Sequence, residues 1–432
     1  MNAINSSPKI DFNSLEEINS FQFSKLKEQL SYVEKHSPYY QKLFAQHKIK
    51  ISNIENWEDF YQISFTSKDD FSKNNEDFLC VERTKIADYT TTSGTTGSPI
   101  PFYLSSNDLD RLATNEAYSM FCAGAKSTDI FQLMTTIDKR FMAGLAYFMG
   151  VQKMGAGIVR NGPGALPLQW DSILRFKPTI LIAVPGFIPS LIQYAKENTI
   201  DFQASSIKKI ICIGQPIRNE ELEWNDLGMA IRKEWDVELL STYASTEMGA
   251  AFTECEMGLG GHLPSELVIL EVVDENGKHV ANGETGEVVI TTLGVEAMPL
   301  IRYKTGDVCR FYSNPCECGR NTPRLGPVIG RKNQLLKVKG TTIFPTMIYS
   351  VLEKLIPENS YYVEVLKGDF LNDVIHITID EKYISLTHNI QEKLQGNLRF
   401  LPIIQFHPYD KMKAIIFSED NRKPIKFIDK RI

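Results

Sequence analysis

Between residues 128 and 242 short apolar runs alternate with longer stretches of helical composition, and that alternation leaves few ways to fold. The runs are residues 130–135, 156–159, 180–184, 210–214 and 237–242, most of them rich in β-branched side chains. Strands this apolar need cover on both faces, and helical connections of this length deliver parallel neighbours. An α/β core with a mostly parallel sheet is the expectation. The longest apolar stretch, residues 181–192, is cut by Pro185, Gly186 and Pro189 and is too short to span a bilayer.

The texture differs on either side of that core. The first 80 residues read as helices. Phe23, Leu26, Leu30 and Val33 recur at helical spacing over residues 21–36, and Thr66 or Ser67 can cap a polar helix over residues 66–75. From about residue 265 close-set strands are expected at 267–273, 286–293 and 308–312, joined by turns such as Asp274-Glu275-Asn276-Gly277. That pattern suits a small antiparallel, barrel-like part. After Gly330 follows an α+β pattern: helix 346–355, strands 363–366 and 374–379, helix 384–398, strand 403–406 and a polar tail. The expected fold class is therefore α/β, with a large domain over residues 1–330 and a small α+β domain over residues 331–432. The antiparallel part occupies about residues 250–330 of the first.

Charge and cysteines narrow the function. Among 432 residues, 47 basic and 53 acidic side chains leave a net charge of −6, with no basic stripe, which excludes the usual nucleic-acid or anionic-membrane binder. The opening MNAINSSPKIDFNSLEE has neither a basic segment nor an apolar core of a secretory leader. Seven cysteines in a chain this large point to a reduced, cytoplasmic protein in which clustered cysteines bind metal.

The strongest local signal is Thr90-Thr91-Thr92-Ser93-Gly94-Thr95-Thr96-Gly97-Ser98-Pro99. Glycines allow backbone conformations that turn several amides toward one point, and hydroxyls add donors, so the loop suits a polyphosphate. It lacks the lysine of a Walker loop, and read alone a Ser/Thr/Gly linker is the lesser alternative. Two further segments join it. Tyr243-Ala244-Ser245-Thr246-Glu247 leaves an expected strand at its carboxyl end, where parallel sheets bind ligands. An aromatic there can cover a purine, a threonine hydroxyl can meet phosphate and a glutamate can hold Mg²⁺. Tyr303-Lys304-Thr305-Gly306-Asp307 sets a carboxylate after a tight turn, suited to ribose hydroxyls.

The order TTSGTTGSP, YASTE, RYKTGD, GRKNQLLKVKG and a C-terminal lysine segment resembles the adenylate-forming (AMP-binding) superfamily, in particular its phenylacetate–CoA ligase branch. Ser37-Pro38-Tyr39-Tyr40 and Phe65-Thr66-Ser67-Lys68-Asp69-Asp70 look like that branch's N-terminal helices, so the resemblance covers essentially the whole chain. It implies an acid–thiol ligase that uses ATP with Mg²⁺ to adenylate a small carboxylic acid and then passes the acyl group to coenzyme A. Loading of a carrier-protein phosphopantetheine, or a catalytically impaired nucleotide-binding homologue, are the alternatives, and a homodimer is compatible with either.

Carried over by position, the resemblance gives Ser93, Gly94, Thr95, Thr96 and Gly97 to the β,γ-phosphates and Tyr243 to the adenine, with Gly214, Gln215 and Ala244 alongside. Thr246 falls to the α-phosphate, Glu247 to Mg²⁺, and Asp307 with Arg331 to the ribose. Asn333 marks a hinge for a mobile C-terminal lid, residues 337–340 a thiol channel, and Phe141, Ala143, Gly144 and Tyr147 an acyl pocket for an aryl or medium acyl acid. Arg422-Lys423-Pro424-Ile425-Lys426 matches the family's spacing of an arginine followed four residues later by the adenylation lysine, which assigns Lys426, with Lys423 as its neighbour and rival. Departures from the family pattern are Ser98 for a lysine, Lys332-Asn333-Gln334 for an acidic pair, Ala244 for a glycine and Ile425 for a glycine.

Cys255-x₆-His262 and, later, Cys316-x-Cys318 supply three sulfurs and one imidazole, the ligand set of a closed structural zinc site. The same four read as ordinary reduced cysteines beside an unrelated histidine if the expected antiparallel sheet does not bring them together. The branch resembled often carries such a Cys/His site here. Cys80, Cys122, Cys212 and Cys309 read as buried small hydrophobes.

Overall fold

In a computed structural model, which describes residues 4–92, 99–338, 341–368, 373–398, 400–417 and 424–431, the chain divides into two compact units. The first is built from Met1–Thr92, Ile100–Thr305 and Cys309–Val328, and the second from Ile329–Ile432 with Gly306–Val308.

In the first unit, strands β1 (Ile86–Thr91) and β2 (Pro101–Ser105) form an antiparallel hairpin. The apolar runs become β3 (Ile130–Leu133), β4 (Gly157–Arg160), β5 (Ile180–Ala183), β6 (Lys209–Ile213) and β7 (Glu238–Ser245). All five pair in parallel, in the spatial order β4-β3-β5-β6-β7. Every residue of β5 is buried, as a strand covered on both faces must be. Beyond β7 come β8 (Ala250–Glu254), β9 (Gly261–His262), β10 (Val268–Val273), β11 (Thr285–Thr292), β12 (Tyr303–Tyr312) and β13 (Arg324–Leu325). The pairing runs on from β7 through β8, β9, β13, β12 and β11 to β10.

The α/β class and the antiparallel part are as expected, and the antiparallel strands continue the edge of the parallel sheet. The cause is local: a tight turn after β7 returns the chain at once, so β8 pairs on the open side of β7 and offers a new edge to the next strand.

Helices cover this sheet. The helix Leu15–His36 opens with a reciprocal Ser14–Glu17 capping box, which satisfies two end amides, and buries Leu26, Leu30 and Val33. The helices Ser106–Cys122 and Met142–Lys153 lie against each other so closely that a Cβ on Gly150 would stand 2.3 Å from that of Glu116. Arg111, on the first of these, is buried and aims three donors at carbonyls: Nε at Leu293 (2.6 Å), Nη1 at Gly249 (2.8 Å) and Nη2 at Leu267 (2.6 Å). One turn earlier Asp108 accepts from the amides of Glu296 (2.7 Å) and Ala297 (2.9 Å) and closes a capping box with Ser105.

The second unit holds β14 (Gly330–Arg331), a β15 (Leu336–Val338) and β16 (Thr341–Ile343) hairpin, and a four-stranded sheet. That sheet is ordered β19-β18-β17-β20, from β17 (Tyr361–Lys367), β18 (Asp373–Asp380), β19 (Ile403–His407) and β20 (Phe427–Lys430). Helices Pro345–Leu352 and Thr387–Leu398 give Ile348, Leu352, Ile390 and Leu394 to its core. The tail read as polar from sequence contains the helix Tyr409–Ile416 and β20, which runs parallel to β17. Four residues, Phe-Ile-Asp-Lys, carry too little alternation to announce a strand; the open edge of β17 decides it. Among the described residues no helix is long and apolar enough to cross a membrane.

Replacing Arg111 with methionine keeps its bulk but leaves three buried carbonyls without donors. The expected loss is about 3 kcal/mol of stability, measured by urea unfolding, with the unfolding slope unchanged. A variant as stable as the parent would show that water or neighbouring amides replace the guanidinium.

Candidate active site and a Cys–His cluster

The carboxyl ends of β3, β5, β6 and β7 form one edge of the first unit, and most of the candidate residues in that unit lie along it. At the end of β6, Gly214 takes a positive φ of 73° and turns the chain off the sheet. Gln215 follows, and its Oε1 accepts from the amide of Gly186 (3.0 Å) in the loop after β5, tying two adjacent strand ends together. Since Ile213 pairs with Thr242, the chain leaves β6 at Gly214 beside Tyr243, which continues in β7 and pairs with Phe252.

Tyr243 is half-buried, its ring 6.0 Å from that of Phe252 on the neighbouring strand. Ala244 is exposed, and Thr246 and Glu247 occupy the turn before β8, half-exposed. Two amides close that turn: Gly249 N–H donates to Ser245 and Thr246 carbonyls (3.3 and 3.2 Å), and Met248 N–H to the Ser245 hydroxyl (3.3 Å). The turn is fixed from behind by Arg111 through the Gly249 carbonyl.

The acyl-pocket candidates sit at the carboxyl end of β3. Phe141 precedes the helix Met142–Lys153, and a Cβ on Gly144 would lie 1.8 Å from the carbonyl oxygen of Thr136, so the first turn packs directly on the segment after that strand. Phe141 and Ala143 are half-buried, while Gly144 and Tyr147 are buried. Burial, with a further push from Glu116, raises the Tyr147 phenol well above its ordinary range.

Ser93, Gly94, Thr95, Thr96 and Gly97, with Ser98, lie outside the described residues. Their flanks do not: Thr92 N–H donates to the Ile100 carbonyl (2.9 Å) and Ile100 N–H to the Thr92 hydroxyl (3.0 Å), so the two ends of the segment leave the β1–β2 hairpin together.

In the second unit Asp307 pairs across the β12–β14 ladder with Arg331, whose Nε donates to its carboxylate at 3.1 Å. Asn333 falls in the 3₁₀ turn Lys332–Gln334, Lys337 and Val338 in β15, while residues 339 and 340 lie outside the described residues. Lys426 is described and Lys423 is not. The Lys426 ammonium reaches the carboxylates of Glu353 (2.8 Å) and Glu358 (2.5 Å) and stands 5.5 Å above the Tyr349 ring.

The sheet does bring Cys255, His262, Cys316 and Cys318 together, with all four ligand atoms within 4.8 Å of one another. Cys255 and Cys316 sulfurs are 3.7 Å apart, and Cys318 sulfur lies 3.5 Å from His262 Nε2. The second ring nitrogen of His262 contacts the Thr322 hydroxyl at 3.0 Å, which orients the imidazole as metal-binding histidines require. Burial, helped by Arg320 and Arg324, holds the His262 pKa down to about 3, so the ring is neutral and has a lone pair to give. Arg320 donates to Cys318 sulfur (3.4 Å), a contact that favours the thiolate.

Sequence reasoning missed several of these partners. Arg320 stands in the Cys-x-Cys-Gly-Arg string and was legible as a charge beside sulfur. Thr322, the buried Glu116, and Cys122, which packs against the cluster, give no signal in the chain alone.

The family model for AMP-binding enzymes matches residues 25–297. A phenylacetate–coenzyme A ligase of Thermus thermophilus is 29% identical over 382 residues, covering 86% of this chain and 83% of that protein. A phenylacetate–coenzyme A ligase of Escherichia coli is 25% identical over 402 residues, 90% and 89% of the two chains. In fold, the chain matches a crystal structure of 2-hydroxyisobutyryl-CoA ligase in the postadenylation state with a TM-score of 0.80 at 19% identity, covering 98% of this chain and 92% of that one.

Glu116 lies behind the pocket candidates, 4% exposed, with an Asn115 side-chain amide as donor (3.0 Å). Desolvation, against that hydrogen bond, pushes its carboxyl up to about 8 from an ordinary 4.5. Between those values the folded chain holds a proton that the unfolded chain releases, so stability falls as pH rises through this window. Glu116→Gln is expected to flatten that fall, gaining ~3 kcal/mol over the parent in denaturant unfolding at pH 8 relative to pH 5. Parallel pH profiles for the two proteins would refute the assignment.

Proposed function

The chain belongs to the AMP-binding enzyme family, and from that membership we propose that it is an ATP-dependent carboxylate–coenzyme A ligase of the phenylacetate–coenzyme A ligase kind. One observation carries the reading: the likeness to ligases of that name runs along most of the chain.

In the first half-reaction a carboxylate oxygen of the acid attacks the α-phosphorus of ATP. An acyl–oxygen–phosphorus bond forms, the bond to the β-phosphate breaks, and pyrophosphate leaves with the electron pair. Tyr243 offers the adenine an aromatic face, with Gly214, Gln215 and Ala244 beside it. Ser93, Gly94, Thr95, Thr96 and Gly97 receive the β,γ-phosphates. The Thr246 hydroxyl donates to the α-phosphate, and Glu247 binds the Mg²⁺ that accompanies ATP. Asp307 accepts from the ribose hydroxyls, and its pairing with Arg331 fixes the carboxylate.

Lys426 stabilises the charge that builds on the α-phosphate oxygens. Its present partners, Glu353 and Glu358, are single carboxylates, so a triphosphate of higher charge competes well for the same ammonium. In the second half-reaction the coenzyme A thiolate attacks the acyl carbon, the thioester forms and AMP departs. Phe141, Ala143, Gly144 and Tyr147 are apolar or aromatic, which favours an aryl or medium acyl acid.

Cys255, His262, Cys316 and Cys318 suit a zinc ion. Four protein ligands leave no position for water, so the ion supplies folding energy and no chemistry.

Acid-dependent exchange of pyrophosphate into ATP, screened over aryl and alkyl acids, tests the reaction. At least one acid is expected to support exchange, with thioester formation on free coenzyme A in preference to a phosphopantetheine carrier. Lys426→Ala is expected to slow exchange on the order of a hundredfold or more. Exchange at the parental rate in that variant moves the role elsewhere, and a panel in which no acid works removes the reaction itself.

Metal analysis is expected to return about one zinc per chain. Cys316→Ser is expected to lose the metal and lower the melting temperature; a metal-free parent with an unchanged melting temperature would end the zinc reading.

A further inference from the structure

The loop that follows Gly214 and Gln215 is built around an arginine, Arg218, whose side chain is 11% exposed. Residues 216–225 fold back on themselves: Arg218 bridges to Trp224, Asn225 N–H donates to the Ile217 carbonyl (3.1 Å), and the Asn225 side-chain amide to that of Pro216 (2.9 Å). The Arg218 guanidinium stacks on the Trp224 ring, its carbon 3.7 Å from the centroid, and Nη1 donates to the Leu222 carbonyl (2.9 Å). These contacts keep the loop closed.

The same guanidinium reaches out of the loop. Its Nε donates to Oε1 of Glu254 at 3.0 Å, and both side chains are nearly buried. The other carboxylate oxygen, Oε2, accepts from the amide of Ser241 at 2.8 Å. Ser241 lies on β7, two residues before Tyr243. On the opposite side, a Cβ on Gly258 would fall 2.1 Å from Arg218 Nη2, and Gly258 also adopts a φ of 63°. Only a glycine there leaves room for the guanidinium. Gly258 sits between Cys255 and His262, and Glu254 immediately precedes Cys255.

We propose that the Arg218–Glu254 ion pair is a positioning device for the nucleotide base: it holds the Gly214–Gln215 loop and the Tyr243 strand at a fixed separation and braces both against the Cys255–His262 knuckle. This rests on the assignment of those segments to adenine made above. A buried ion pair gives little net stability compared with apolar packing but fixes geometry, because neither charge tolerates an alternative place. Two adjacent strand ends that must together present one surface to a flat base need such a fixed relation. Arg218 does not touch the nucleotide; it acts through the two segments it holds.

The test uses full-length protein and AMP as the probe, read by calorimetry, with steady-state kinetics for ATP and for the acid. Arg218→Ala is expected to weaken AMP binding and raise the ATP KM roughly ten- to a hundredfold, with the acid KM unchanged and kcat altered only a few-fold. Arg218→Lys is expected to recover part of the loss. If Arg218→Ala fails to fold, the double variant Arg218→Met with Glu254→Gln removes the pair without leaving a buried charge, and the same ATP defect is expected there.

A folded variant lacking the pair that binds AMP as the parent does would overturn the proposal. So would an ATP defect seen only when bound metal is lost as well. If no acid supports pyrophosphate exchange in the parent, yet AMP binds and Arg218→Ala weakens it, the ligase reading fails and the positioning role stands.

Discussion

A single buried guanidinium joins the parts of the first unit that the sequence keeps apart. Arg111 lies on a helix before the parallel sheet begins, and its three donors end on carbonyls at Gly249, Leu267 and Leu293. Those carbonyls close the turn after β7, enter β10 and leave β11. The parallel and antiparallel halves of the sheet therefore share one cation. Burial lowers its pKa to about 10, still far enough above neutrality to keep it charged. A charge this deep is tolerable only because every nitrogen has a carbonyl to face.

For the proposed chemistry the consequence is a set of strand ends held by side chains as well as by the ladder. The Thr246–Glu247 turn hangs between two strands and has Arg111 behind it. Gln215 crosses to Gly186, Glu254 to Ser241 and Arg218, so three strand ends are cross-linked by side chains as well as by the ladder. Groups that must meet developing charge on a phosphate work best when they are already in place, since reorganisation at the moment of reaction would cost part of their effect. The Cys–His cluster stands at the far end of the same chain of contacts. Its place next to Glu254 makes it a brace for the edge and not a separate module.

How much of this could be read from the chain depends on the range of the interaction. The five short apolar runs announced β3 to β7 because strands in a covered parallel sheet are apolar along most of their length, as β5 is at every position. The polar helix capped at Ser67 was legible because a capping box spans four residues. The strand β20 was not, as four residues carry no period and a vacant edge decided their fate. The antiparallel part was legible as such, but not its place: spacing between strands predicts that they pair antiparallel, and says nothing of which existing edge receives them. Among the candidate residues, Tyr243, Glu247 and Asp307 stood out through motif order. Glu116, Arg218 and Thr322 did not: Glu116 owes its character to burial, and Arg218 and Thr322 owe theirs to Glu254 and His262, more than twenty residues away.

By itself the sequence determined the composition of each layer, the loops rich in glycine and hydroxyls, and the donor set of three cysteines and one histidine. Those are properties of residue type and short spacing, which a chain carries whether folded or not. Only the tertiary structure decided that Cys255 and Cys316 sulfurs come within 3.7 Å, that Arg218 finds Glu254, and that Glu116 keeps its proton. Each of these depends on removal from water and on distances across the sheet, and neither quantity exists until the strands have paired.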